Sequence, residues 1–183
     1  KGFIKDMTYE EIKNIRAGKN FKDRDLFPNA RIPRFEEVVD FVKSTNMHLN
    51  VELKASGAVY SSIEEKVISL LKENKMLDRT MISSFDHRAL VNVKKINSDI
   101  PVGALYEAYI LNPWEYVKKY NFDYIHPHFL TVDKETVEGC HSRGVEVNCW
   151  TVNDVNMAKL FDALGVDILI SDYPDRLIKA IGE

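Results

Sequence analysis

The tripeptide Glu52-Leu53-Lys54 sets a carboxylate and an ammonium two residues apart, and in an extended segment residues i and i+2 share one face. Along "HLNVELKASG", 48 to 57, alternation puts Asn50, Glu52 and Lys54 on one side and Leu49, Val51 and Leu53 on the other. A face bearing both charges must meet water, a partner or a reacting group. A carboxylate there can hold a hard divalent cation, and an ammonium can offset charge on a phosphoryl oxygen. On residue types alone, the same pair serves equally well as a structural ion pair.

Other polar residues gather at comparable positions, where apolar segments end: Ser83 and Ser84, Glu107, His126 and His128, Trp150 with Thr151 and Asn153, and Ser171 with Asp172. His126 and His128 have the spacing of metal ligands, yet no third ligand of that type lies nearby, so polar rim positions or a satisfied histidine are the plainer reading. A lone Trp is more often core than ligand contact, and a strand-end position narrows that margin for Trp150. Phe85 either lines a pocket or fills the top of the fold. Asp172 leans to a structural role, and Glu107 suits solvent, metal or Lys54. The pairs Glu36 with Glu37 and Glu64 with Glu65 fall on amphipathic helices and read as solvated faces.

The elements that would carry these residues recur in a fixed rhythm. Strand patterns occur at 49–54, 80–85, 102–107, 123–128, 145–150 and 167–172, and helical ones between them at 61–76, 87–97, 113–121, 131–144 and 154–165. Two further helices, 8–15 and 34–45, precede the first strand, so 1–47 is a helical and loop segment. Thr8 with Glu11 fits a capping box, Asp154 an N-cap, and Gly144 and Gly165 helix C-caps. Repeated βα units predict an α/β fold with a parallel sheet. Functional groups at every strand end favour a TIM (β/α)8-type barrel over a doubly wound sheet, because a barrel builds its site from all the loops at its C-terminal face. We therefore expect one barrel domain over 1–183. Six units are visible, and the eight of a full barrel leave about two, roughly 60 residues, to an N-terminal portion.

Composition narrows the function classes. The 183 residues, 45% hydrophobic with a net charge of -3, suffice for one sizeable core and offer no basic field for nucleic acid. Cys140 and Cys149 lack metal or disulfide spacing and read as buried, idle thiols. No run reaches the roughly 18 apolar residues of a transmembrane segment, and the first residues have no signal-peptide core.

Taken together, "KGFIKDMTYEEIKNI", "RIPRFEEVVDFV", "LNVELK", "MISSFDHRALVNVKKINSDIPVGALY", "GVEVNCWTVND" and "LGVDILISDYPDRL" resemble the glycerophosphodiester phosphodiesterases, barrel enzymes of the phospholipase-C-like group. The resemblance covers nearly the whole chain, and the combination of Glu-x-Lys, "SSF", "WTVN" and "SDYPDRL" is what makes it specific. It implies metal-dependent cleavage of a small-molecule glycerophosphodiester to glycerol 3-phosphate and an alcohol, in glycerophospholipid and glycerol metabolism. The implied cation is Ca²⁺ or Mg²⁺, with self-association left open. Glu52 matches a metal-ligating carboxylate and Lys54 the catalytic lysine at the phosphate. Trp150, Phe85 and His126 fall at substrate-binding positions.

The resemblance also implies groups that this sequence does not contain: a His-Arg-Gly turn, a Glu-x-Asp pair and a His-Asp pair, carrying the proton-transfer histidines and two carboxylates. A polypeptide limited to Lys1–Glu183 is accordingly expected not to hydrolyse glycerophosphodiesters, and to act at most as a module with phosphate or glycerol affinity. Metal-dependent release of glycerol 3-phosphate from glycerophosphocholine by that polypeptide would overturn the expectation.

Overall fold

Apolar segments with β-branched and aromatic residues pair into one parallel sheet in which each strand joins the next in the chain. The computed structural model describes residues 3–17, 27–54 and 60–182. Its strands are β1 (Leu49–Glu52), β2 (Thr80–Ser84), β3 (Val102–Tyr106), β4 (Tyr124–Pro127), β5 (Glu146–Cys149) and β6 (Ile168–Leu169), in the order β1-β2-β3-β4-β5-β6. The helices are α1 (Tyr9–Ile12), α2 (Phe35–Lys43), α3 (Ile63–Glu73), α4 (His87–Ile96), α5 (Pro113–Lys119), α6 (Lys134–His141), α7 (Val155–Leu164) and α8 (Pro174–Ile181). A crossover that always steps to the next neighbour never reverses direction, and reversal is what defines a doubly wound sheet.

One face of the sheet is dry. Ile82, Val102, Ala104, Ile125, Val147 and Cys149 are buried there beneath Leu90 and Val93 of α4, Val117 of α5, Val137 of α6 and Phe161 of α7. The alternate residues point to the opposite face, which is helix-free among the described residues. On that face the sheet curls: Asn148 Nδ2 of β5 lies 4.0 Å from Met81 Sδ of β2, although two strands stand between them. Three strand spacings in a flat sheet would separate them by about 14 Å. A smaller cluster of Val39, Val42, Leu49, Leu71 and Met76 seats α2 and α3 on β1, and Arg79 donates to the Thr45 carbonyl at 2.6 Å just past the end of α2.

The fold also needs one position without a side chain. Ser83, Gly103 and Tyr124 are register partners across β2, β3 and β4, and the His126 ring lies over Gly103. A Cβ at Gly103 would overlap Nε2, Cδ2 and Cε1 of that ring. Gly103→Ala is thus expected to destabilise the protein by about 1–3 kcal/mol, the usual cost of overpacking. Urea denaturation checks it, and an unchanged midpoint would show that the ring moves aside freely.

Most expected elements are present, with shorter bounds. The N-terminal helix expected over 8–15 is a single turn, Tyr9–Ile12, opened by the Thr8–Glu11 capping box. Asp154 caps α7, accepting from Met157 N–H at 2.9 Å. Gly165 closes α7 with φ 84°, whereas α6 ends at Ser142 and Gly144 follows two residues later with φ 63°. The last strand, expected over 167–172, is regular only over Ile168–Leu169; Ile170 still exchanges backbone bonds with Cys149 and Val152, and Asp172 bonds Asn153 instead. Helix α8 was not expected from the sequence, although Pro174 at its first turn and the spacing of Leu177 and Ile181 are its signals. Glu64 is not on a solvated face: it is 3% exposed, with Asn92 of α4 donating to it at 3.4 Å. Cys140 and Cys149 are buried free thiols, each pushed up to about 12 by desolvation. Among the described residues no helix is long and apolar enough to cross a membrane.

Candidate active site

The site is assembled where strands end. Glu52 closes β1, Leu53 turns into the core at 3% exposure, and Lys54 follows in the open. The ammonium of Lys54 lies 2.7 Å from Glu52 Oε2, with the lysine side chain 79% exposed and the glutamate 29%. Neighbouring strands bring the rest together. Glu52 is the register partner of Ser83, and two residues beyond Ser83 stands Phe85. Phe85 meets Trp150 edge to face, ring centroids 5.4 Å apart, and His128 meets Trp150 from another strand at 5.1 Å. The Trp150 indole N–H donates to the His126 carbonyl at 2.8 Å. Edge-to-face contacts and one half-buried hydrogen bond fix the indole plane at the mouth.

Beneath this aromatic rim lies a polar layer. Ser83, His126 and Asn148 are each 0% exposed, so His126 is not a rim residue. Its Nε2 lies 3.0 Å from Asn148 Nδ2, and burial pushes the imidazole down to about 4. The unfolded chain holds that proton up to the ordinary value near 6.5, so between about 6.5 and 4 it binds more protons than the folded one. Stability is therefore expected to fall with falling pH across that window, by about 1.4 kcal/mol per pH unit from this residue. Denaturation curves at pH 7 and 5 measure the slope, and His126→Gln should flatten it.

Other residues stand apart from this cluster. Glu107 is exposed and His48 is exposed just before β1. Asp172 accepts from Asn153 Nδ2 at 2.8 Å and donates its own N–H to Asn153 Oδ1 at 2.9 Å, tying the β5 and β6 loops together. His87 uses both ring nitrogens, on Tyr116 Oη and the Leu105 carbonyl. His141 pairs with Asp167, which also accepts from Val147 N–H at the opening of β5, the end of the strand remote from Trp150. The Asn148 and Ser83 positions were not singled out as a buried layer from sequence, although alternation along each strand contains the signal.

Glu52 has the hard-oxygen chemistry that a divalent cation takes. It fits in kind and falls short in number, for no group of three His, Cys, Asp or Glu side chains converges among the described residues.

A parallel sheet wound in one direction, with a carboxylate–ammonium pair and aromatic wall at its C-terminal edge, defines a barrel of the (β/α)8 type with an enzyme-like mouth. The profile of the glycerophosphoryl diester phosphodiesterase family matches residues 1–176. A glycerophosphodiester phosphodiesterase of Caldanaerobacter subterraneus subsp. tengcongensis is 36% identical over 180 residues, covering 98% of this chain and 73% of the relative. One from Bacillus altitudinis is 34% identical over 182 residues, covering 98% and 74%. A phosphodiesterase of Oleispira antarctica, solved in complex with the product sn-glycerol-3-phosphate, superposes with a TM-score of 0.90 at 25% identity, covering all of this chain and 73% of that one. The chain belongs to the glycerophosphoryl diester phosphodiesterase family.

Proposed function

We propose that the protein hydrolyses glycerophosphodiesters to glycerol 3-phosphate and an alcohol, in the turnover of glycerophospholipids. The observation that carries this reading is the Glu52–Lys54 pair at the end of β1, set on the same sheet face as the Phe85–Trp150 wall. The product complex of the Oleispira phosphodiesterase supports the glycerol phosphate half of the substrate. Lys54 presents a point charge, which offsets negative charge as it builds on the phosphoryl oxygens. Glu52 holds that ammonium in place and contributes one carboxylate to a divalent cation, Ca²⁺ or Mg²⁺. When bound, such a cation neutralises phosphoryl charge as a Lewis acid. Trp150 and Phe85 offer flat apolar surface to the carbon skeleton of the glycerol end, with His126 beneath them holding the indole through its carbonyl.

The test is release of glycerol 3-phosphate from glycerophosphocholine by the full-length protein, with and without added Ca²⁺ or Mg²⁺. Turnover that depends on the cation is expected. Absence of turnover with either cation sinks the reading.

A second reading, a module that binds phosphate or glycerol without turnover, draws on the commitment of three of the five histidines: His126 is buried on Asn148, His87 is bonded at both nitrogens, and His141 is paired with Asp167. Binding of glycerol 3-phosphate without hydrolysis in the same assay selects it.

A further inference from the structure

His128 has one ring nitrogen that the fold leaves unused. Its Nδ1 accepts from the Leu130 N–H at 3.4 Å, capping the short 3₁₀ turn Phe129–Thr131 that follows β4. A backbone N–H directed at Nδ1 leaves no room for a second hydrogen there, so the neutral imidazole carries its proton on Nε2. That Nε2–H has no hydrogen-bond partner among the described residues, and it is open to solvent on a half-buried side chain.

The backbone fixes where this donor stands. Pairing runs past the end of β4: the His128 N–H donates to the Tyr106 carbonyl at 2.9 Å, and His128 bridges Trp150 in parallel. Alternation therefore holds to residue 128, and His128 shares a face with His126, whose ring lies over Gly103 and against Asn148 inside the curl of the sheet. The His128 ring meets the Trp150 indole edge to face, centroids 5.1 Å apart at 85°, and lies against Phe129 at 4.7 Å. Two ring contacts and the cap hold the imidazole in one orientation. Phe85 and His128 each meet Trp150, with no ring contact between the two among the described residues. The aromatic wall thus begins with Phe85 after β2, one strand from Lys54, and ends at His128 after β4.

We infer that His128 reads the glycerol end of the substrate, its Nε2–H donating to a glycerol hydroxyl oxygen while the glycerol carbons lie on Trp150; the identity of that substrate rests on the proposed activity. The phosphate belongs at the other end of the wall, where Lys54 supplies a full charge. A neutral N–H suits an uncharged oxygen. A polar group set at the edge of an apolar plate is also how a mostly apolar pocket fixes a ligand's orientation. A ligand without the hydroxyl leaves the donor unpaired, which turns one hydrogen bond into selectivity.

Calorimetric titration of the full-length protein with glycerol 3-phosphate and with n-propyl phosphate, which lacks both hydroxyls, tests this without requiring turnover. Wild type is expected to bind glycerol 3-phosphate about tenfold more tightly, the worth of one well-made hydrogen bond. His128→Asn keeps an acceptor at the δ position to cap the turn but carries no donor as far as the ε position. Its affinity for glycerol 3-phosphate should fall about tenfold, and its affinity for n-propyl phosphate should stay within about twofold. His128→Gln restores an N–H at the ε position and should return glycerol 3-phosphate binding to within about threefold of wild type. A purely structural cap would weaken both ligands alike. Equal losses for the two ligands, no loss for either, or a wild type that does not distinguish them each overturn the assignment, as does a glutamine variant as weak as the asparagine one. Glycerophosphocholine turnover, assayed alongside, separates the two claims. Turnover with binding that ignores His128 keeps the proposed activity and removes the glycerol reader. Selective binding that depends on His128, without turnover, keeps the reader and removes the activity.

Discussion

Lys54→Met in the full-length protein is expected to lower kcat for glycerophosphocholine by about 100- to 1000-fold, the usual consequence of removing one preorganised group that stabilises developing charge. Methionine keeps the length and apolar stem of the side chain and deletes the ammonium. Because Lys54 is mostly exposed, and held chiefly by Glu52 at 2.7 Å, the change should leave thermal stability nearly untouched. Exposed ion pairs contribute little to stability, so a loss of activity without a loss of folding isolates the charge as the cause. Lys54→Arg restores the charge with a different geometry and should recover only part of the rate. A kcat within about threefold of wild type for the methionine variant would leave Lys54 as a surface partner of Glu52.

Glu52→Gln tests the other half of the pair and should fail differently. The amide is almost isosteric but lacks the negative charge, so it releases Lys54 and weakens any cation bound there. Divalent-cation affinity, measured by calorimetric titration with Ca²⁺ and Mg²⁺, should fall by at least about 100-fold, the upper end of the cost of losing even a supporting partner of a metal ligand. Activity should fall with it and recover in part at high cation concentration. Unchanged metal affinity together with no rescue by excess cation would remove Glu52 from the metal role and return the pair to a structural ion pair. Lys54→Met should leave cation affinity close to wild type, so the two variants separate phosphate charge compensation from metal binding.

Both effects rest on a strand whose meaning was legible early. Period-two alternation put Glu52 and Lys54 on one face, and Leu53, 3% exposed, turns the other way as alternation requires. The βα rhythm was legible for the same reason: each strand is a short apolar run that pairs next to its predecessor, and each helix carries an apolar stripe to cover it. Boundaries were less so. Strand β6 is regular only to Leu169, and by Asp172 the chain bonds the Asn153 side chain across 19 residues of sequence, a partnership no local pattern reveals.

Long-range partners were the part hidden from the sequence. Asp123 and Asp167 look alike as residues opening strands, yet their roles come from contacts: each accepts the N–H of a strand residue about 20 positions earlier, and each meets a nitrogen-bearing side chain, Lys94 or His141. Glu64 illustrates the reverse, an acidic helix residue that the sequence sends to solvent and the α3–α4 packing buries.

His126 shows the division most clearly. By itself the sequence determined that His126 and His128 stand at the end of a strand near the site and share one face of it, since side-chain direction along a strand follows from counting residues. Only the tertiary structure decided that His126 is buried on Asn148 over Gly103 while Trp150 stands at the mouth, because depth and partnership depend on strand stagger and sheet curl. Those are set by pairing between residues far apart in the chain, and no single segment encodes them.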